Sequence, residues 1–417
     1  MPHSRLDNLA GTHKQMSKRN LSLILHALLA ITLIAPLSAS AATVSTPRKT
    51  PKVKNVVESA KTQKKVASKR RRRVSRYEWV NGHRLKRSRY HERYATSSFT
   101  DQDLTVNDVT TGEDPVVRAA AIDALGNHNG TVVAIDPNSG RVLAMVNQKL
   151  ALAGGAEPCS TIKVSVALAA LSENVVTRNT KIQVGRRARM DLTEALAHSN
   201  NPYFEALGRK MGFEKVSYYA HQFGLGELAG WNIEGEHLGE FPAEELPASM
   251  GGVGRMCSFG QGISLTPLQL GALVSAIANG GTLYYLQHPA TPEEISTFEP
   301  RVKRYLDIGP LIPEVSPGMS AAVRYGTAQS VRWNFAEEEV LGKTGTCSNN
   351  GTRLGWFGSF ANTSVGKIAV VVFLEGGRPT FGPKAAEIAG RMYRNLYDHS
   401  YFVKSTPALD KGLTVTQ

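Results

Sequence analysis

Three short motifs in a fixed order constrain the fold of this chain more than any other feature. They are Ser160-Thr161-Ile162-Lys163, Ser199-Asn200-Asn201 and Lys343-Thr344-Gly345. Together they supply a nucleophile, proton carriers and an anion-binding group, a set that can perform acyl transfer without a metal ion or a cofactor. A second Ser-x-x-Lys, from Ser364 to Lys367, follows the third motif in a predicted turn, so we assign it no role.

Ser160 and Lys163 form the candidate nucleophile and its base. Ser160 lies at the predicted start of a helix, where backbone N–H groups favour developing negative charge. Lys163 follows three residues later, so its amine shares a helix face with the hydroxyl. A lysine accepts protons at neutral pH only if its pKa falls, and burial beside a second cation, Lys343, would lower that pKa.

Ser199 and Asn201 stand in a predicted turn between two helices. We expect Ser199 to relay a proton to the leaving group and Asn201 to bind a substrate amide. Residues of these types also cap helices and form turns, so the triplet alone is weak evidence. His198 suggests a Ser-His pair, but no matching acid accompanies it in the sequence, and the two lysines already supply the proton chemistry.

Lys343-Thr344-Gly345-Thr346 begins a predicted strand of small residues. Gly345 belongs to the binding site because glycine allows a ligand to approach the backbone closely. We expect the Lys343 ammonium and the hydroxyls of Thr344 and Thr346 to bind a substrate carboxylate. The backbone N–H groups of Thr346 and Ser160 would form an oxyanion hole.

Residues 1–41 have the organisation of an export signal. Positive residues precede an apolar stretch at 21–37, and Ala39-Ser40-Ala41 fits a cleavage site of small residues. Met16 directly precedes this unit and is an alternative start. Polar residues within the stretch make it a poor membrane-spanning helix, so we expect cleavage, with an uncleaved membrane anchor as the alternative.

The positive charge of the chain is concentrated in one segment. The formal net charge is +14, and between Arg48 and Arg93 eighteen Lys or Arg residues stand against three Glu. Few aliphatic residues and many like charges predict a disordered basic tether over residues 42–105. Because the tether follows an export signal, we expect an anionic lipid or an anionic wall polymer, and no nucleic acid, as its partner. A solvated linker without a partner is the alternative.

The rest of the chain is predicted to form one domain over residues 106–399, followed by a polar tail over residues 400–417. Residues 130–136 and 141–146 read as a hairpin, an apolar helix follows at 161–174, and further strands come after residue 342. Strands at both ends of a domain with helices between them indicate an α+β fold, in which helices cover one antiparallel sheet.

Residues 130–396 resemble the transpeptidase domain of penicillin-binding proteins. Besides the three motifs, the resemblance is carried by segments 136–145, 235–239, 260–269, 278–282 and 355–360, which include Gly260-Gln261-Gly262 and Gly355-Trp356-Phe357-Gly358. It is strongest toward monofunctional, class B-like members. Two departures are the missing pedestal domain and the short gap from Ser160 to Ser199.

The resemblance implies a five-stranded antiparallel sheet with an all-helical subdomain. It implies that the D-Ala-D-Ala end of a peptidoglycan stem peptide acylates Ser160, and that the acyl group passes to an amine or to water. β-Lactams would acylate the same serine. The protein would act in the bacterial cell envelope, in the periplasm or elsewhere outside the cytoplasm.

The resemblance also pairs two of the three cysteines. Cys159 and Cys347 occupy positions that are bridged in some carbapenem-hydrolysing serine β-lactamases. We therefore expect a Cys159–Cys347 disulfide and a free Cys257. Export to an oxidising compartment would permit the bond, and three small buried cysteines are the alternative.

Three functions remain open at this point. A D,D-transpeptidase or D,D-carboxypeptidase would hold penicillin as a long-lived adduct, whereas a serine β-lactamase would release it rapidly. No convincing Glu-x-x-x-Asn hydrolytic loop is present, which disfavours the β-lactamase. A non-enzymatic sensor of β-lactams or muropeptides, or a wall scaffold, is the third reading. A transpeptidase and a carboxypeptidase both fit the sequence, with an amine or water as the acyl acceptor.

Overall fold

A computed structural model describes residues 94–402 and, separately, two short antiparallel strands, β1 (Tyr77–Val80) and β2 (His83–Lys86). The predicted signal, the rest of the basic tether before residue 94 and the tail beyond residue 402 lie outside the described residues. No helix in the described part of the chain is long and apolar enough to cross a membrane.

The strands β1 and β2 fall within the segment predicted to be disordered, so that expectation does not hold for these eight residues. The physical reason is local. Asn81-Gly82 separates the two strands in the sequence, and this pair is typical of two-residue hairpin turns. The many charged residues around Asn81-Gly82 led to a prediction of disorder in place of a hairpin.

One five-stranded antiparallel sheet forms the centre of the domain, as expected. Its strands are β3 (Gly130–Ile135), β4 (Val142–Val146), β9 (Glu339–Asn349), β10 (Thr352–Thr363) and β11 (Gly366–Gly376). Their order across the sheet is β4-β3-β11-β10-β9. The hairpin from the start of the domain therefore pairs with its last strand, and β9, which carries the third motif, lies at an edge.

Helices occupy the long segment between β4 and β9 and flank the sheet. Two small sheets, β5 (Ile182–Gln183) with β6 (Arg189–Met190) and β7 (Thr282–Tyr284) with β8 (Val302–Tyr305), lie in the same segment. The helices are α1 (Pro115–Leu125), α2 (Gln148–Ala151), α3 (Lys163–Ser172), α4 (Leu192–Ala197), α5 (Asn201–Met211), α6 (Phe213–Gln222), α7 (Gly252–Phe259), α8 (Pro267–Asn279), α9 (Pro292–Ser296), α10 (Ile312–Arg324), α11 (Ser330–Asn334) and α12 (Gly382–Asp398).

Alternate residues of the central strands face two layers of helices. In β3, Val133 and Ile135 belong to one apolar cluster, whereas Val132 and Ala134 belong to the other. The first cluster includes α3 and α8, and the second includes α1 and α12. Nine of the ten residues of α3 are buried, so this helix lies in the interior, as its apolar sequence predicted.

The domain begins nearer residue 94 than the predicted residue 106. The Ser98 hydroxyl lies 2.8 Å from that of Thr380, and the Thr96 hydroxyl lies 2.9 Å from that of Thr352. The polar composition of residues 94–105 suggested a tether, but the side chains of Thr96 and Ser98 form hydrogen bonds with residues of the domain.

Candidate active site

The nucleophile candidate lies on a 3₁₀ turn, Cys159–Ile162, that leads directly into α3. Lys163 is the first residue of α3, and its Nζ lies 2.6 Å from Ser160 Oγ. Because the two residues are three apart on one helical turn, the backbone itself holds the amine over the hydroxyl. The structure therefore brings the Lys163 amine into hydrogen-bond contact with the Ser160 hydroxyl.

Lys163 is fully buried and contacts three elements of the fold. Its Nζ lies 2.7 Å from Asn201 Oδ1, at the start of α5, and 2.7 Å from the Ser258 carbonyl oxygen on α7. Burial lowers the pKa of Lys163 well below its usual value, and the positive charge of Lys343 lowers it further. An amine in this position can hold a proton transiently and release it.

Ser199 links the two lysines. Its hydroxyl lies 2.9 Å from Lys343 Nζ and 3.3 Å from Lys163 Nζ. The residue follows α4 with φ of 54°, a left-handed conformation that turns the chain sharply before α5. Lys343 is 1% exposed, and burial lowers its pKa to about 7. The second and third motifs therefore meet at one hydroxyl.

Strand β9 packs directly against the nucleophile turn at Gly345. A Cβ atom at this position would lie 2.8 Å from the Pro158 carbonyl oxygen, so only glycine permits this approach. Thr346 Oγ1 accepts a hydrogen bond from the Gly382 N–H at 2.7 Å. The Thr344 hydroxyl lies 2.6 Å from that of Thr327. The close packing places the third motif beside Ser160.

The predicted disulfide between Cys159 and Cys347 is confirmed, with 5.6 Å between the two Cα atoms. Cys257 is free and buried. The bond joins the residue before the nucleophile to β9, immediately after Thr346. Cys159 has φ of 51°, so a residue with a side chain holds a left-handed conformation at this position.

Sequence reasoning missed several groups that complete the site. The Ser258 carbonyl lies on α7, a helix absent from the prediction because Gly252 and Gly254 resemble a turn. Phe204 and Phe259 lie within about 6 Å of Lys163 Nζ and exclude water from it. Thr327, whose hydroxyl contacts that of Thr344, lies outside all three motifs. By contrast, His198 pairs with Glu194 at 3.3 Å and makes no contact with Ser160.

A family model described as the penicillin binding protein transpeptidase domain matches residues 130–397. This match spans more than half of the chain and includes all three motifs. The chain belongs to this family.

Two curated proteins illustrate the sequence similarity of this chain to its relatives. Stage V sporulation protein D of Bacillus subtilis is 28% identical over 317 residues, covering 63% of this chain and 48% of that protein. The peptidoglycan D,D-transpeptidase MrdA of Haemophilus influenzae is 24% identical over 351 residues, covering 70% of this chain and 50% of that protein. The chain thus spans about half the length of the curated relatives it matches.

Solved structures share the fold of the penicillin-binding transpeptidase domain. Pseudomonas aeruginosa PBP2 in complex with WCK 5153 aligns with a TM-score of 0.57 and 24% identity, covering 70% of this chain and 81% of that chain. The transpeptidase domain of Burkholderia pseudomallei penicillin-binding protein 3 aligns with a TM-score of 0.60 and 19% identity, covering 71% of this chain and 98% of that chain.

Proposed function

We propose that this protein is a serine D,D-transpeptidase or D,D-carboxypeptidase that acts on D-Ala-D-Ala stem peptides of peptidoglycan and binds penicillin covalently at Ser160. One observation carries the proposal: the buried Lys163 amine lies 2.6 Å from Ser160 Oγ, and Ser199 connects it to a second buried lysine. Membership of the family supports the same reaction class.

Acylation would begin with attack of Ser160 Oγ on the carbonyl carbon of the penultimate D-alanine. The neutral Lys163 amine takes the hydroxyl proton as the new C–O bond forms. The carbonyl oxygen becomes negative and is stabilised by the backbone N–H groups of Ser160 and Thr346. Ser199 donates its proton to the departing D-alanine nitrogen and takes a proton from the Lys163 ammonium in its place. The C–N bond breaks, which leaves an ester on Ser160 and a neutral Lys163 amine.

The remaining motif residues bind and position the substrate. The Lys343 ammonium and the hydroxyls of Thr344 and Thr346 would hold the terminal carboxylate, and the Asn201 amide would bind the peptide backbone. Deacylation transfers the acyl group to an amine or to water, with Lys163 and Ser199 carrying the proton in the reverse direction. We place this reaction in the bacterial cell envelope, outside the cytoplasm, where stem peptides occur.

Fluorescent penicillin tests the proposal directly. Purified protein should form a covalent adduct that persists through a chase with unlabelled penicillin, and Ser160→Ala should abolish it. Ser364→Ala, in the second Ser-x-x-Lys of the chain, is the matched control and should label like wild type. An adduct that clears within seconds would identify a β-lactamase. Absence of labelling in folded wild-type protein would contradict the site.

The rate of penicillin acylation should rise with pH and level off well below the pKa of a free lysine. The lowered pKa of Lys163 means that the reactive neutral amine accumulates as pH rises through that lowered value. Lys343→Gln removes a neighbouring positive charge, so the pKa of Lys163 rises and the acid limb moves to higher pH. Stopped-flow acylation between about pH 5 and about pH 10 measures this shift.

Lys215→Gln is the control for the pH profile, because Lys215 forms an exposed ion pair with Glu173 away from the motif residues. Its acid limb should coincide with that of the wild type. An unchanged limb in Lys343→Gln would contradict the electrostatic coupling of the two buried lysines.

A further inference from the structure

A cavity of about 460 Å³ lies at the end of α3 that is remote from the proposed site. Ser172, the last residue of α3, lines this cavity, whereas Lys163 begins the helix beside the nucleophile. At about 1.5 Å per residue, α3 separates the two places by about 14 Å. Residues of α6 and of segment 305–311 form the other walls. The cavity is therefore a second concave surface, distinct from the place where Ser160 would be acylated.

Two tyrosine side chains on the cavity wall keep most of their surface exposed. Tyr218 on α6 is 58% exposed, and Tyr305 at the end of β8 is 79% exposed. Single exposed aromatic residues are common on protein surfaces, whereas two at one cavity indicate an interaction site. Trp231 differs from them, because the Arg301 guanidinium carbon lies 4.7 Å from the centre of its ring. The two tyrosines thus offer free ring surface to a ligand.

Local packing fixes the surroundings of both tyrosines. The Tyr218 ring contacts that of Tyr219 edge to face, with 5.1 Å between the ring centres, and Tyr219 Oη donates to Glu173 Oε1 at 2.9 Å. Leu306, which follows Tyr305, is buried and anchors the end of β8. Binding to these rings therefore orders few additional side chains, which favours affinity.

The polar side chains of the cavity suit a neutral ligand. Asn174, Gln222 and Asp307 line it, and within residues 94–402 none of their side chains forms a hydrogen bond or an ion pair. The two amides can each donate and accept, and the carboxylate accepts from hydroxyl groups. Of the described residues that line the cavity, only Asp307 is charged. A wall without a cation disfavours phosphate and carboxylate groups as ligands.

A pyranose sugar matches this combination of groups. One face of its ring presents C–H groups that stack on an aromatic ring, and its edge carries hydroxyls that form hydrogen bonds. An acetamido substituent adds an N–H and a carbonyl oxygen, which complement the side-chain amides of Asn174 and Gln222. The volume of about 460 Å³ falls within the range of about 300 to 1,000 Å³ that is typical of small-ligand pockets.

We propose that this cavity binds a neutral polysaccharide of N-acetylated hexosamines, with sugar rings stacked on Tyr218 and Tyr305. Asn174 and Gln222 bind the acetamido groups, and Asp307 accepts hydrogen bonds from hydroxyls. The inference rests on the proposed function, because the proposed substrate is a peptide that a glycan carries. The cavity holds a glycan strand to the domain and takes no part in acyl transfer.

Calorimetry with the full-length protein tests this inference. The probes are fully N-acetylated chitotetraose and cellotetraose, the corresponding glucose tetramer, which lacks the acetamido groups. Chitotetraose should bind about tenfold more tightly, the effect of about one net hydrogen bond. Tyr218→Ala and Tyr305→Ala should each weaken chitotetraose binding about tenfold, because each loses one stacked ring. Tyr218→Phe and Tyr305→Phe keep the rings and should bind like wild type.

Trp333→Ala is the matched control, because Trp333 is 76% exposed and does not line the cavity. Its Kd for chitotetraose should equal that of the wild type. Three results overturn the assignment: no binding to wild type, equal Kd values for the two sugars, or an unchanged Kd in a Tyr218→Ala, Tyr305→Ala double variant.

Penicillin labelling of the same preparations separates this inference from the proposed function. Wild type and the alanine variants should label alike, because both tyrosines lie away from Ser160, and equal labelling also shows that the variants are folded. Intact labelling without sugar binding defeats only the cavity assignment. Loss of labelling in folded wild type defeats the proposed function, and the Kd values then still decide the cavity assignment.

Discussion

Lys163→Met should slow penicillin acylation about a thousandfold, which lies within the range of about 10² to 10⁴ that general acid–base groups contribute. Methionine fills a similar volume in this fully buried position but cannot accept the Ser160 proton. The Asn201 and Ser258 oxygens that contact the amine also lose their partner. Stopped-flow measurement of the acylation rate constant checks the expected loss, with circular dichroism to confirm folding.

Lys367→Met provides the matched control, because Lys367 belongs to the second Ser-x-x-Lys of the chain. Its Nζ donates to the Ala278 carbonyl oxygen at 2.6 Å and contacts no residue of the proposed site. This variant should acylate at the wild-type rate. If folded Lys163→Met protein acylated at a rate within tenfold of the wild-type rate, another group would have to accept the Ser160 proton. The proposed mechanism would then be wrong.

Periodicity and turn residues predicted most of the elements that carry the site. The sequence predicts helices over residues 192–197 and 267–279, where the structure has α4 and α8. Each of these helices begins after a clear capping residue, Asp191 or Thr266. The helix α10 was missed because Pro313, Pro317 and Gly318 lie within it. Tertiary packing stabilises this helix although proline and glycine have low helix propensity. The local sequence alone does not reveal that packing.

The motifs contain the residues of the proposed reaction, but they do not include several groups that contact those residues. Lys163 could be identified from its spacing to Ser160, whereas the Ser258 carbonyl reaches it from 95 residues away in the sequence. Thr327 likewise lies beside Thr344 only because the turn after α10 packs on β9. A backbone carbonyl or a lone hydroxyl has no sequence pattern, so long-range contacts of this kind require the fold.

Removing the Cys159–Cys347 disulfide should lower the free energy of unfolding by up to about 5 kcal/mol, the chain-entropy value for a loop of this length. The two cysteines are 188 residues apart, and the bond therefore restricts much of the unfolded domain. Urea unfolding of a Cys159→Ala, Cys347→Ala double variant measures the loss. Reductant should destabilise wild type and Cys257→Ala, which keeps the bond, but should not affect the double variant.

Two different substitutions at position 159 separate the stabilisation by the disulfide bond from the cost of the left-handed backbone conformation. Cys159 has φ of 51°, which costs an alanine about 1 kcal/mol and costs glycine almost nothing. Cys159→Gly with Cys347→Ala should therefore unfold at higher urea than the alanine double variant, although neither has the bond. It should also acylate faster, because glycine keeps the turn that presents Ser160 to Lys163. Equal stability and equal acylation of the two double variants would show that the turn relaxes once the bond is lost, and that the disulfide alone imposes its conformation.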